Sequence, residues 1–210
     1  MLDLLELFKG TGSVGKVARK MGLRDLSLDF DEKYKPDIHT DILKWDYKKF
    51  HRETGYVPDF IWASPPCNTF SIAVYFLHER DTHTAEPFSQ RAKEGTKILY
   101  KTLQIIKYFL KLNPNLKYVI ENPRGMMRQD KRMQKLPYLS TTTYSSYGDK
   151  KYKPTDFWSN FPLELKPVKK VPANFTPVQD INNIEDRYRM PPKLLREIFN
   201  QMLKSYSLNE

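Results

Sequence analysis

The chain has 210 residues, 40% of them hydrophobic, enough for one α/β domain with a buried core. Its one cysteine rules out a disulfide within the chain and fits a reducing, cytoplasmic setting, and no apolar run approaches the roughly 20 residues that cross a bilayer. With 35 Lys and Arg against 25 acids the net charge is +10, which suits a polyanion such as nucleic acid and equally a solubilising surface.

The first eight residues carry acids rather than a basic segment ahead of their apolar residues, which argues against a secretory leader. Leu4 to Phe8 reads as a short buried strand, followed by the turn Lys9-Gly10-Thr11-Gly12-Ser13. Val14 to Met21 reads as a helix stopped by Gly22. Leu26 to Phe30 is a second strand ending in acids. Asp59 to Ala63 is a third, running into Ser64-Pro65-Pro66-Cys67. Ile98, Leu99, Leu103, Ile106, Phe109 and Leu110 recur at helical spacing, so 91–112 is a long amphipathic helix. Lys117 to Ile120 is a fourth strand that delivers Glu121-Asn122-Pro123. This alternation predicts a mainly parallel sheet with helices on both faces. After Gly148, prolines at 154, 162, 167, 172 and 177 argue for short pieces without central strands, until Pro191 opens a helix bearing Leu194, Leu195, Ile198, Phe199 and Met202. The expected organisation is a catalytic domain over 1–148, an irregular basic segment over 149–190, and a C-terminal helix over 191–210 packed on the same domain.

Four segments could carry chemistry. Glycines between the first strand and helix let the backbone approach a ligand, although a tight turn needs them too. Asp29-Phe30-Asp31 ends the second strand, where an acid can hold ribose hydroxyls and an aromatic can cover a purine; a capped surface turn has the same composition. Cys67 follows two prolines that stiffen a strand exit. A lone cysteine is commonly a small buried hydrophobe, but thiolate is also the side chain suited to attack carbon 6 of cytosine and make carbon 5 electron-rich. Glu121, at the fourth strand's end, can hydrogen-bond a cytosine ring nitrogen or instead pair with Arg124.

In this order the segments resemble the DNA cytosine-5 methyltransferase family. Phe8 to Ser13 looks like its glycine motif, Pro66-Cys67 followed by Phe70-Ser71 like its nucleophile motif, and Glu121-Asn122 like its Glu-Asn motif. Thr143 to Gly148, Lys153 to Asn160 and Arg187 to Pro192 are similar to compact relatives from phages and large viruses. The resemblance implies a Rossmann-like fold, S-adenosylmethionine as methyl donor, and duplex DNA with a cytosine flipped out to reach Cys67. By carry-over Phe8, Gly10, Gly12 and Pro65 line the donor site, Asp29 holds the ribose, Phe30 stacks on adenine, and Asp41 reads the adenine edge. Cys67 and Glu121 are catalytic, and Ser71, Asn122 and Arg124 contact the substrate; no metal is implied.

Asn68 stands where the family usually has glutamine, and the stretch after Glu121 is short for a target-recognition domain. Recognition is then weak, or supplied by a partner protein or by the loop from Ile72 to Gly95. The family's later arginine motif has no counterpart, leaving Lys150, Lys151, Lys153 and Arg124 as substitutes. An amino-methyltransferase, an RNA cytosine methyltransferase and an inactive DNA-binding relative remain alternatives.

Overall fold

The computed structural model describes residues 1–71, 77–168, 171, 181 and 183–208. Strand β1 (Asp3–Leu7) leads through a glycine turn to helix α1 (Ser13–Lys20) and strand β2 (Arg24–Asp29). A short strand β3 (Ile38–His39) and helix α2 (Tyr47–Thr54) precede β4 (Phe60–Ala63). Helix α3 (Gln90–Leu112) returns the chain to β5 (Lys117–Pro123). Strands β6 (Tyr138–Thr143) and β7 (Pro154–Ser159) follow, then helices α4 (Ile184–Tyr188) and α5 (Pro192–Ser207).

The strands form one seven-stranded sheet in the order β3-β2-β1-β4-β5-β7-β6. The first five are parallel, whereas β7 runs antiparallel to both β5 and β6. Strand residues alternate in direction, and here both directions are buried. Leu4, Phe60, Trp62, Val119 and Phe157 face a core shared with α1 and α5, whose Val14, Val17, Leu194, Leu195, Ile198 and Phe199 complete it. Leu5, Leu7, Ile61, Ala63, Tyr118, Ile120 and Trp158 face the opposite core with Tyr47 of α2 and Leu99, Ile105, Ile106 and Phe109 of α3. Helices thus cover both faces, as the apolar pattern predicts.

One expectation is corrected. The segment after Gly148 contains an interior strand, β7, instead of only irregular surface pieces. Pro154 sits at the strand's first position, where the missing N–H interrupts little of the ladder. The following Thr-Asp-Phe-Trp-Ser run is buried throughout. Its charged member, Asp156, is held by Arg128, whose Nη2 donates at 2.5 Å and Nε at 2.9 Å, and by the Thr141 hydroxyl at 2.8 Å.

From β1 the chain winds outward in one direction through β2 and β3, then in the other through β4 and β5. A crevice therefore opens beyond the carboxyl ends of β1 and β4, the general location of ligands in such sheets.

Candidate active site

That crevice holds a cavity of about 300 Å³ whose walls come from four strand exits and the C-terminal segment. The β1 exit supplies Phe8 and Gly10. Phe8 has φ 68°, a conformation that a residue with a Cβ seldom adopts, and its N–H and that of Lys9 both donate to Leu28 O, at 2.8 and 3.1 Å. Gly10 has φ +48° with open space where a Cβ would stand, leaving the backbone bare toward a ligand. Gly12 lies behind it as the left-handed cap of α1, outside the cavity wall.

Asp29, at the end of β2, is buried and fixes this turn. Its Oδ2 accepts Gly10 N–H at 2.8 Å and its Oδ1 accepts Asp31 N–H at 3.0 Å, which leaves each oxygen a further lone pair. Beside it Phe30 is 70% exposed, an unusual position for a phenylalanine unless its face is to be covered. Asp31 and Tyr34 extend the same rim. Asp41 is not on the wall: its Oδ1 accepts Leu43 N–H at 2.9 Å and its carbonyl receives Lys44 and Trp45, so it closes its own turn.

The β4 exit supplies Pro65 and Cys67, and β5 supplies Glu121 and Asn122. Asn122 Nδ2 donates to Pro65 O at 2.7 Å, tying the two exits together. Among the described residues, Glu121 Oε1 and Asn122 Oδ1 are buried without a hydrogen-bond partner, an expensive state that a bound polar group would relieve. Burial pushes the Glu121 carboxyl up, opposed by Lys153 and by the Ser64 hydroxyl. Burial likewise pushes the Cys67 thiol up, while Lys153 draws it down.

The sequence left four cations open, and the structure separates them. Lys153 lies on the cavity wall, its ammonium 5.0 Å from the Tyr144 ring centroid and 6.0 Å from that of Tyr188. Lys151 is committed to Asp186 O and Arg189 O, both at 2.7 Å, and Lys150 and Arg124 are exposed away from the wall. Ser71 is also outside the wall, bridged to Gly125. Gly125 has to be glycine, because a Cβ there would stand 2.1 Å from Phe70 O.

Sequence reasoning missed Glu6, Tyr188 and Met190, all on the wall. Glu6 is buried beneath the glycine turn, accepting Gly15 N–H at 3.1 Å. Burial, reinforced by Asp25, pushes its carboxyl up to about 8, so it holds a proton at neutral pH. Acidity just before a glycine turn was its only signal. Tyr188 reaches the wall from α4, within electrostatic range of Cys67 and Tyr34, which no local pattern announces.

A bare glycine turn facing the Cys67 loop across a switch-point crevice is the ligand site of a Rossmann-like α/β enzyme. The comparisons agree. No family model matches the chain. The probable DNA (cytosine-5)-methyltransferase of Frog virus 3 (isolate Goorha) is 32% identical over 167 residues, 76% of this chain and 71% of the relative. The crystal structure of Schizosaccharomyces pombe Dnmt2 methyltransferase superposes with a TM-score of 0.50 at 16% identity, covering 87% of this chain, which spans 60% of that structure. The chain belongs to the DNA (cytosine-5)-methyltransferase family, whose methyl donor is S-adenosylmethionine. Its residues fit that donor: bare backbone at Gly10, an anchored carboxylate at Asp29 and an uncovered aromatic face at Phe30 meet in one cavity. Among the described residues no helix is long and apolar enough to cross a membrane, and no cluster of side chains could hold a metal ion.

Proposed function

We propose that the chain methylates carbon 5 of cytosine in DNA, with Cys67 as the nucleophile. The observation that carries this is the convergence of Cys67, the unpartnered buried oxygen of Glu121 and the ammonium of Lys153 on one cavity with the glycine turn.

When bound, S-adenosylmethionine supplies an electrophilic methyl group on a sulfonium sulfur. Gly10 gives it backbone contact, Asp29 offers its free lone pairs to the ribose, and Phe30 covers the adenine. The target base has to leave the duplex to enter so enclosed a site. The Glu121 carboxyl, whose protonated form burial favours, donates a hydrogen bond to the ring nitrogen of cytosine and accepts one from the exocyclic amine. That draws electrons from carbon 6. Cys67 Sγ, as thiolate, bonds to carbon 6, and the displaced electron pair makes carbon 5 nucleophilic. Carbon 5 takes the methyl group, and the electron pair of the breaking bond stays on the donor sulfur. Transfer of the carbon 5 proton to water then restores the ring double bond and expels Cys67 as thiolate. Lys153 stabilises both the thiolate and the charge that develops on the ring.

DNA containing 5-fluorocytosine tests the scheme, because fluorine cannot leave carbon 5 as a proton does. A donor-dependent covalent adduct is expected with the native chain and none with Cys67→Ala. Nucleoside mass spectrometry after incubation with labelled donor should find 5-methylcytosine in DNA. Full transfer by Cys67→Ala overturns the nucleophile; label on nitrogen or confined to RNA overturns the product or the substrate.

A further inference from the structure

Helix α3 starts at the nucleophile loop and runs away from it, and its outer side is a stripe of lysine. Lys93, Lys97, Lys101, Gln104, Lys107 and Lys111 follow one another at intervals of three and four, which places them on one helix face. All are exposed except Lys101, which is half-buried with its ammonium 5.0 Å from the Tyr47 ring centroid. None of the five lysines makes an ion pair within 4 Å among the described residues, Asp46 acts on Lys101 at longer range, and Glu94 is the sole acid on the helix.

The neighbours broaden the stripe. Helix α2 docks beside it through Tyr47 against Tyr108 and a 2.8 Å hydrogen bond between His51 Nδ1 and Tyr108 Oη, adding exposed Lys48 and Arg52. On the other flank Arg132 lies 3.4 Å over the Tyr100 ring, with exposed Lys131 and Lys135 next to it. Asp46 and Glu53 are the acids of this part of α2, and Lys49 already holds Glu53 at 3.7 Å. Like charges at these spacings destabilise a helix. A polyanion lying along the face removes that cost.

We propose that this lysine face is a second contact surface, for the phosphate backbone of duplex DNA that extends beyond the catalytic cavity. The proposal rests on DNA as the substrate. From Lys93 to Lys111 the stripe is about 27 Å long, roughly the rise of eight base pairs. Its upper end is joined to the site: Arg80 donates to Ala92 O in the first turn of α3 at 2.6 Å and to Thr69 Oγ1, two residues past Cys67, at 2.9 Å. DNA held on the stripe is thereby kept at high local concentration near Cys67.

The test is the salt dependence of binding to a labelled duplex of about four helical turns, roughly 40 base pairs. Combined Lys97→Gln, Lys101→Gln and Lys107→Gln should make the slope of log K against log salt shallower by about 2.7. Between 50 and 200 mM salt the native chain then loses about 40-fold more affinity than this variant. Lys16→Gln, Lys20→Gln and Lys204→Gln, the same charge loss at exposed positions of α1 and α5, should keep the native slope. A native slope in the first variant, an equal change in the second, an effect on RNA alone, or no duplex binding by the native chain overturns the proposal. The expected slopes without any Cys67 adduct would support the surface and overturn the transfer chemistry instead.

Discussion

At the residue scale the site turns on Lys153, the one cation among four that reaches the cavity wall. It reaches the wall through strand register: β7 pairs Pro123 with Thr155 and Asn122 with Asp156, which places Lys153 beside the Glu121 exit. Burial raises the Cys67 thiol, and the Lys153 ammonium partly offsets this by favouring thiolate. Removing that charge therefore moves the thiol further up. Alkylation of Cys67 by iodoacetamide across a pH series should have a higher midpoint in Lys153→Met, with slower reaction at neutral pH, while Lys153→Arg stays near the native curve. An unchanged midpoint in Lys153→Met would mean that the ammonium does not act on the thiol. The sequence shows Cys67 and Glu121 because each lies in a contiguous run with its own stiffening prolines. It does not single out Lys153, since that choice depends on an antiparallel pairing across a long separation.

At the scale of elements, the Cys67 loop is held from two sides. Toward β5, Met126 N–H donates to Phe70 O at 2.7 Å, across the approach that only glycine permits at 125. Toward α3, the guanidinium of Arg80 is buried with no carboxylate in contact among the described residues; it donates to Thr69, Thr96, Ala85 O and Ala92 O and stacks 3.6 Å from the Phe70 ring centroid. Burial lowers its pKa to about 10, so it remains charged at neutral pH. Arg80→Met leaves several of those acceptors unpartnered and frees Thr69. Adduct formation on 5-fluorocytosine DNA should slow about 10- to 100-fold, the range expected when a reacting group is misplaced by an ångström or less. Donor affinity by calorimetry should be unchanged, because the glycine turn proposed to hold the donor follows β1, and Arg80→Lys should recover part of the rate. Slowing that merely tracks lost thermal stability would reduce Arg80 to a structural role. The long helix and four parallel strands were legible from apolar periodicity. Arg80 was not, because a buried arginine in a loop looks in sequence like an exposed one, and β7 was hidden because Pro154 reads as a strand breaker when it is only a strand opener.

At the scale of the whole molecule, the sequence suggests a catalytic domain ending near Gly148, whereas the sheet runs through that boundary. A chain stopped there would lack β7, leaving β6 without its strand partner and β5 with a bare edge at Glu121. It would also lack α5, whose Leu194, Leu195, Ile198, Phe199 and Met202 are all fully buried over α1 and the sheet, with Phe199 5.9 Å from Trp62 between ring centroids. At about 1.5–3 kcal/mol for each large apolar side chain, these five alone contribute roughly 7–15 kcal/mol, as much as the net stability of a typical domain. The cavity lined by Cys67 and Glu121 and the C-terminal helix therefore belong to one cooperative unit. Urea titration of the full chain should give a single transition, coincident by circular dichroism and tryptophan fluorescence, and residues 1–148 alone should give none. A cooperative transition in the shorter chain would show that the sheet closes without β7, and that Lys153 joins a site already formed.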